Sequence, residues 1–358
     1  MEENVDNEHQ ETGLGGGRPY TRRGFISLGT KAMAGFALVL NGCASLFKKE
    51  PPYAPLPNVT CKESASDRAE AYAYIVVGSG AGGGPLAANL AKAGHRVLLL
   101  EAGGAEESFT YQVPAFHGLA SEDDAQKWSF FVRHYASETQ QARDDKYLKK
   151  EGGVLYPRAG TLGGCTAHHA MITIYPHKSD WDGIAEQMND PSWSDDNMRQ
   201  YFERLERCRY VDPPKDPADN PSRHGFTGWL TTHTADPTLV IGDGPLKKII
   251  KAATKESVQR VGRIWDRLGV KLKTHLDPND WRWREAQQSP EGLVFTPIST
   301  QGGKRVGARD AILQAQRSCP ENLTVRTGAF VTRVIFTEGP NGERRATGVE
   351  YLDRKSVV

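Results

Sequence analysis

The stretch AYAYIVVGSGAGGGPLAANLAKAGHRVLLLEAGG, residues 71–104, decides the fold. The β-branched run IVV, residues 75–77, is typical of a buried strand in a parallel sheet. It precedes the glycine-rich loop GSGAGG, residues 78–83, and an alanine-rich helix. A second apolar strand, residues 97–100, then ends at Glu101. This order of strand, loop, helix, strand and acid predicts a Rossmann-like α/β domain that binds a dinucleotide.

The loop fits the pattern G-x-G-x-x-G, and each glycine has a mechanical reason. Gly78 permits a tight turn, Gly80 lets the backbone approach a pyrophosphate, and Gly83 allows close packing of helix and strand. The phosphates are expected at the helix N-terminus, and the acid at ribose hydroxyls rather than at a 2′-phosphate. FAD and NAD both use this unit, so the fingerprint leaves the choice open. The predicted cofactor-binding residues here are Gly78, Gly80, Ala81, Gly82, Gly83 and Glu101.

Composition is that of an ordinary globular protein. The chain has 358 residues, 38% of them hydrophobic and 25% charged, with a formal net charge of +1. A nucleic-acid-binding protein would need a basic face, and this balance gives no sign of one. We therefore expect no nucleic-acid partner.

The N-terminus indicates export rather than fold. Arg22 and Arg23 precede FIS in the pattern of a twin-arginine signal, and the apolar run 32–40 is too short to span a bilayer. The following LNGC resembles a lipoprotein lipobox, in which Cys43 is acylated. A simple signal peptide or an uncleaved anchor is the alternative. These features predict an exported, periplasmic or cell-envelope lipoprotein held to the membrane by its lipid.

A tether is expected between that anchor and the folded body. Residues 1–43 form the predicted signal, and the proline-rich, polar residues 44–70 form the predicted linker. We expect Cys165 and Cys208 to be free buried thiols, while the sequence does not pair the other cysteines.

A second block, RAGTLGGCTAHHAMITIYPHKSDWDGIAE at residues 158–186, resembles the second cofactor-contacting segment of the glucose–methanol–choline (GMC) flavoprotein oxidoreductases. RVGARDAIL (305–313), LTVRTGAFVTRVIF (323–336) and GVEYLD (348–353) resemble a helix, a return strand and the next strand of that family. The resemblance covers about 71–355 and selects FAD over NAD. The further cofactor-binding residues that it implies are Gly163, Gly164, Cys165, His168, His169 and, at the adenine, Val331.

The resemblance also implies a domain plan. The FAD-binding domain occupies residues 71–180 and returns at 301–358, and residues 181–300 form an inserted, incomplete α+β substrate domain. Within the insertion, residues 192–210 predict an amphipathic helix capped by Ser194 or Asp195, and residues 246–268 predict another. The apolar stripe of the first helix is Met198, Tyr201, Phe202 and Leu205.

His168 and His169 admit several interpretations. The resemblance makes His168 the candidate for a covalent bond to the flavin 8α-methyl, and a non-covalent flavin contact or an unrelated role are the alternatives. His169 falls where many relatives have an asparagine. Neighbours in an extended segment point to opposite sides, so the pair is poorly placed to share a metal, and none is predicted. Met171, Ile172 and Ile174 are expected to return the chain to apolar packing.

Function follows from the resemblance. It implies hydride transfer from the CH–OH group of a small alcohol to FAD, with a quinone, a cytochrome or oxygen as electron acceptor. The family's proton-accepting residues are expected C-terminal to this chain, so no catalytic residue is assigned and the chain is interpreted as a fragment. Other hypotheses are a flavin lyase or decarboxylase, and a non-catalytic flavin-binding exported lipoprotein or electron carrier.

Overall fold

The computed structural model describes residues 52–62, 72–234, 277–282 and 294–353, together with residues 244, 245, 248 and 252. The predicted signal with Cys43 lies outside the described residues. The predicted helix at 246–268 also lies outside them, except for residues 248 and 252.

A three-stranded parallel sheet with two helices forms the centre of the predicted dinucleotide unit. Strand β1 is Tyr74–Val77, helix α1 is Gly83–Lys92 and strand β2 is Val97–Leu100. In the described residues, β2 lies between β1 and a later strand, Leu323–Arg326, which is β11 in chain order. The α/β fold expected from the fingerprint is thus confirmed.

The core of this unit lies where α1 meets the sheet and a late helix, α7, Ala308–Ser318. Alanines on α1 allow this close approach, because larger side chains would separate the two helices. The buried apolar residues of this cluster are Val76, Ala87, Ala88, Ala91, Val97, Leu99, Leu162, Ile312, Ala315 and Leu323.

Strand β1 differs from its prediction in one respect. Val76 is buried, but Ile75 and Val77 are exposed, Val77 by 54%. Within the described residues β1 pairs only with β2, so it is an edge strand rather than the central strand that its apolar run suggests. The expectation that all three side chains are buried was therefore wrong for two of them.

The return segment is two strands instead of the single one expected over 323–336. Strand β11 ends at Arg326, and β12, Ala329–Glu338, begins after Gly328, whose φ is +69°. Strand β13, Arg344–Asp353, pairs with β12 in an antiparallel hairpin. The break turns the chain at the sheet edge, where the Gly328 N–H donates to the carbonyl of Gly103 at 2.9 Å.

Small sheets and short helices occupy the middle of the chain. The bounds are Phe109–Gln112 (α2), His117–Ala120 (α3), Lys127–Val132 (β3), Glu138–Gln141 (α4), Tyr147–Leu148 (β4), Gly153–Ala159 (β5), Lys178–Met188 (α5), Asp195–Leu205 (α6), Glu206–Cys208 (β6), Leu230–Thr234 (β7), Pro297–Ile298 (β8), Thr300–Gln301 (β9) and Lys304–Arg305 (β10). Helices α2, α3 and α4 are short, and strand β5 pairs with β3 and β4 in an antiparallel sheet. Strand β7 pairs with β6 in parallel and with β8 antiparallel, and β9 pairs with β10. In the described ranges, the 3-10 helices are Pro114–Phe116, Gly164–Ala167 and Pro191–Trp193.

The apolar stripe predicted for helix α6 is only partly buried. It starts after Ser194, as expected, and Phe202 is buried, but Tyr201 is 58% exposed. The fully buried side chain on this helix is Arg199, whose guanidinium donates to the carbonyls of Ser222, Arg223 and Asn279. A pattern based on apolar residues misses a buried arginine that is satisfied by backbone oxygens.

Part of the predicted linker packs on the folded body. Leu56 is buried, and the Gln314 side chain on α7 donates to the carbonyl of Pro57 at 2.6 Å. Cys61 forms a disulfide with Cys319, just after α7. Residues 52–62 therefore differ from the free tether expected over 44–70.

Candidate functional site

The glycine-rich loop has the tight geometry that its motif predicts. Gly78 follows β1 with φ +89°, and α1 begins at Gly83. A Cβ on Gly83 would overlap the carbonyl oxygen of Gly78, so this position tolerates only glycine in the observed geometry. No acidic residue occupies the first turn of α1, and the N–H groups of Gly84 and Leu86 donate to the loop carbonyls of Gly80 and Gly82, at 2.9 and 3.2 Å. This N-terminus suits a phosphate.

Glu101 and Ser79 connect the loop to the second block. One oxygen of the buried Glu101 carboxylate accepts from the Ser79 N–H at 2.9 Å and from the Ser79 hydroxyl, and the other accepts from the Gly103 N–H at 2.8 Å. The Ser79 Oγ in turn accepts from the Gly163 N–H at 3.0 Å. A carboxylate has about four acceptor positions, so capacity remains for one more donor, such as a ribose hydroxyl.

The Gly163–Gly164 turn lies directly on the fingerprint loop. A Cβ built on Gly164 would come within 2.5 Å of the Gly80 Cα, and the φ of Gly164 is +56°. Two segments that are more than eighty residues apart in sequence therefore meet backbone to backbone.

The two histidines follow a 3-10 helix and do not lie in an extended segment. The N–H groups of His168 and His169 both donate to the carbonyl of Cys165, at 3.2 and 3.0 Å. The premise behind the expected opposite orientation was wrong, because the tight turn at Gly163–Gly164 continues as helix. The His169 Nδ1 accepts from the Met171 N–H at 2.6 Å. The His168 Nε2 is buried and has no hydrogen-bond partner in the described part of the chain.

Both imidazoles are held toward the neutral form. Burial, followed by the charge of Arg305, lowers the pKa of His169 to about 4. Burial and the same guanidinium also lower the pKa of His168, with Arg158 adding to the effect. Neutral rings keep a nitrogen lone pair available, which a bond to a flavin carbon or a hydrogen bond from a cofactor requires.

Residues around this turn correct two expectations. Met171 is fully buried, but Ile172 and Ile174 are 56% and 45% exposed, so the return to apolar packing stops at Met171. Cys165 is an exposed thiol rather than a buried one, because it occupies the outer side of the 3-10 helix, whereas Cys208 is buried as predicted.

Val331 lies on β12 near the acidic end of β2. The Ala329 N–H donates to the carbonyl of Glu101 at 2.9 Å, and Val331 follows two residues later, just before an irregularity in the hairpin. Its partly buried side chain is therefore on the strand that leaves the predicted ribose site.

Three contributors at this site were not predicted as site residues. Ser79 occupies a variable position of G-x-G-x-x-G, Thr166 accepts from the Ala308 N–H at 3.0 Å, and Arg305 donates to the carbonyls of Thr166 and His169. All three lie inside segments that the sequence marks, but nothing in those segments assigns their side chains a contact at the site. Only the spatial meeting of distant segments reveals them.

A second buried polar cluster lies apart from this site. The ring nitrogens of His224 contact the carboxylates of Glu206 and Asp277, each at 2.9 Å, and Cys208 lies near Glu206 and His224 at metal-ligand spacing. Although burial opposes it, the charge of Asp277 and hydrogen bonds raise the pKa of His224 well above its usual value. The Thr232 hydroxyl also donates to Glu206. These contacts describe an imidazolium clamped between carboxylates.

The parallel unit, the glycine loop and the acid at the end of β2 define the chain as a dinucleotide-binding α/β protein. Residues 72–358 match the family described as GMC oxidoreductase, and the chain belongs to that family. FAD is the cofactor of GMC oxidoreductases, which confirms the expected choice between FAD and NAD.

The curated relatives share modest sequence identity with this chain. The chain is 27% identical over 284 residues to an alcohol dehydrogenase [acceptor] of Pseudomonas putida, covering 79% of this chain and 42% of the relative. It is 27% identical over 282 residues to an oxygen-dependent choline dehydrogenase of Vibrio vulnificus, covering 78% and 41%. The chain thus spans less than half the length of these relatives.

Solved structures show the same fold. A pyridoxine 4-oxidase from Mesorbium loti aligns with a TM-score of 0.53 and 22% identity, over 79% of this chain and 46% of the other. An FAD-dependent oxidoreductase from Chaetomium thermophilum aligns with a TM-score of 0.51 and 20% identity, over 80% and 42%.

Proposed function

We propose that this chain binds FAD and is the cofactor-binding part of an oxidoreductase that takes hydride from the CH–OH group of a small alcohol. The observation that carries the proposal is the contact of the Gly163–Gly164 turn with Gly80 and Ser79. It joins the fingerprint to the second block so closely that a Cβ on Gly164 would collide with the Cα of Gly80. A dinucleotide fingerprint alone has no need of that contact.

Each part of the site fits one part of the cofactor. The N-terminus of α1 with Gly80, Ala81 and Gly82 would bind the pyrophosphate, and Glu101 the ribose of the adenosine half. Val331 would lie at the adenine, and the turn from Gly163 to His169 would lie beside the flavin ring. The cofactor would supply the hydride-accepting carbon–nitrogen system. The protein would bind, orient and shield it.

His168 is the proposed point of covalent attachment. Joining its ring nitrogen to the flavin 8α-carbon removes the ring proton, one methyl proton and two electrons, and dioxygen reduced to hydrogen peroxide can accept them. The buried, unpartnered Nε2 and the lowered pKa support this role, because a charged ring has no lone pair for the bond. A non-covalent contact with the ring edge is the alternative.

The substrate class and the acceptor rest on the family. The named relatives include an alcohol dehydrogenase [acceptor] and an oxygen-dependent choline dehydrogenase, so a small alcohol and a quinone, a cytochrome or oxygen are the proposed partners. None of the described residues is assigned as the proton acceptor for the alcohol.

Export and lipid anchoring belong to the same proposal. The Arg22–Arg23 pair, the LNGC segment ending at Cys43 and the Cys61–Cys319 disulfide all support a location outside the reducing cytosol. Expression of the chain with Cys43→Ala should move it from the membrane fraction to the soluble periplasm. Membrane association that is unchanged in this variant would contradict the lipid anchor.

Flavin absorption tests the central proposal. The full chain, expressed with its signal and purified, should be yellow, and acid precipitation should leave the colour with the protein. His168→Ala should release the flavin into the acid supernatant without abolishing binding. A folded but colourless protein would overturn the proposal, whereas colour that leaves with acid in the parent would overturn only the covalent bond.

A further inference from the structure

Arg305 is an almost completely buried arginine at the site, with an exposed fraction of 2%. Its Nε donates to the carbonyl of Tyr111 at 3.0 Å, and its Nη1 donates to the carbonyls of Thr166 at 3.2 Å and His169 at 2.7 Å. The Nη2 is buried and has no hydrogen-bond partner in the described part of the chain. The guanidinium thus joins β10, α2 and the turn at the second block.

Two of these carbonyls bracket His168 in sequence. The last carbonyls of a helix have no N–H donor within the helix. A planar guanidinium can supply several donors to them from one rigid group. By holding the carbonyls of Thr166 and His169 together, Arg305 fixes the backbone on both sides of the imidazole. A lysine would offer only one ammonium nitrogen and would not reproduce this geometry.

The charge of Arg305 acts on the same group of rings. Arg305 acts on His117, His168 and His169, Arg158 acts on His168, and His117 and His168 act on His169. Arg305 is the only one of these groups that acts on all three histidines, and the ring of Tyr111 lies beneath its guanidinium at 5.7 Å. Burial also lowers the pKa of Arg305 itself, to about 10, which still leaves it charged at neutral pH.

We propose that Arg305 is a positioning residue for His168, because it holds the carbonyls of Thr166 and His169 and so fixes the turn that carries the imidazole. The charge of the same guanidinium also disfavours protonation of the rings of His168 and His169. Its value for the flavin rests on the proposed function, since the neutral ring is the form that can bond to the cofactor. Its effect on the rings is a property of the protein alone.

The test is a nuclear magnetic resonance titration of histidine-labelled full chain, with resonances assigned through His168→Gln and His169→Gln. In the parent, the pKa of His168 should lie below the ordinary imidazole value, and His169 should titrate near pH 4. Arg305→Gln should raise the pKa values of both rings toward the ordinary imidazole value, because the charge that disfavours their protonation is removed. Arg305→Lys keeps the charge and should raise them less.

Arg199 provides a matched control, because it is also fully buried and donates to three backbone carbonyls, but lies on α6 near Ser222. Arg199→Lys should leave both titrations unchanged. Two results would overturn the proposal: His168 or His169 titrating near pH 6.5 in the parent, or a folded Arg305→Gln protein with the parent's titration. If Arg305→Gln does not fold, the proposal is tested by the titrations of the parent and of Arg305→Lys, in which the pKa values of His168 and His169 should be slightly higher than in the parent.

A flavin measurement separates this inference from the proposed function. The acid-stable flavin per folded chain should fall at least tenfold in Arg305→Gln and less than twofold in Arg199→Lys. A parent without any flavin would refute the proposed function, and the titrations would still decide the role of Arg305.

Discussion

At the scale of single residues, the site depends on groups that the motif leaves unspecified. The glycines and Glu101 could be predicted because a strand, a tight turn and a helix impose their positions. Ser79 and Arg305 could not, because their roles exist only when distant segments meet. The Nη1 of Arg305 contacts the carbonyl of Thr166, which is 139 residues away in sequence. A local sequence pattern cannot predict such a long-range contact.

Ser79→Ala should destabilise the protein by about 1 to 3 kcal/mol, because the buried Gly163 N–H loses its acceptor and Glu101 loses a donor. Urea unfolding of the parent and the variant measures this difference. Ser121→Ala, which removes a hydroxyl bonded to the carbonyl of Gly118 near the surface, should change the free energy of unfolding much less. Equal effects of the two substitutions would contradict the connecting role of Ser79.

His169 should make stability depend on pH in the acid range. Its folded pKa of about 4 lies below the unfolded value of about 6.5, so the unfolded chain binds the proton first. The stabilisation is complete above pH 6.5 and is lost as the pH falls toward 4, by on the order of 2 to 3 kcal/mol. His169→Gln should flatten this loss in urea unfolding. An identical slope in parent and variant would show that His169 titrates normally.

At the scale of elements, the sequence predicts which helices and strands form better than it predicts which of their side chains are buried. The strand–loop–helix–strand unit forms where its pattern indicates, and helix α6 forms within its predicted range but ends at Leu205, where strand β6 follows. Apolar character alone did not reveal that β1 is an edge strand or that Arg199 takes the core side of α6. Both outcomes depend on the elements that pack against β1 and α6. Propensity and periodicity give no information about those neighbours. The division of the return strand at Gly328 has the same cause.

The segment before β1 is held to α7 by the Cys61–Cys319 disulfide, which closes a loop of 258 residues. Replacing both cysteines with serine should lower the free energy of unfolding by about 2 to 4 kcal/mol, because the open chain gains conformational freedom. Thermal unfolding of oxidised protein measures the loss. Cys165→Ser, at an exposed free thiol, should leave the midpoint unchanged. No difference between the double variant and the parent would contradict a stabilising crosslink.

At the scale of the whole molecule, the near-neutral charge and the parallel unit fit a protein that binds a cofactor rather than a nucleic acid. No helix in the described ranges is both long and apolar enough to cross a bilayer. The chain spans 42% of the length of its alcohol dehydrogenase relative. Within that span, the two segments that are predicted to contact the cofactor and the return strand β12 lie together at one end of the sheet, as a single binding site requires.

The most direct test is the flavin content of purified full chain compared with Gly164→Ala and Gly118→Ala. A methyl group on Gly164 would meet Gly80, whereas one on Gly118 meets open space. The parent and Gly118→Ala should each contain close to one FAD per chain. Gly164→Ala, with circular dichroism unchanged, should contain less than a tenth of that amount. A colourless parent, or a folded Gly164→Ala protein with the parent's flavin content, would contradict the account.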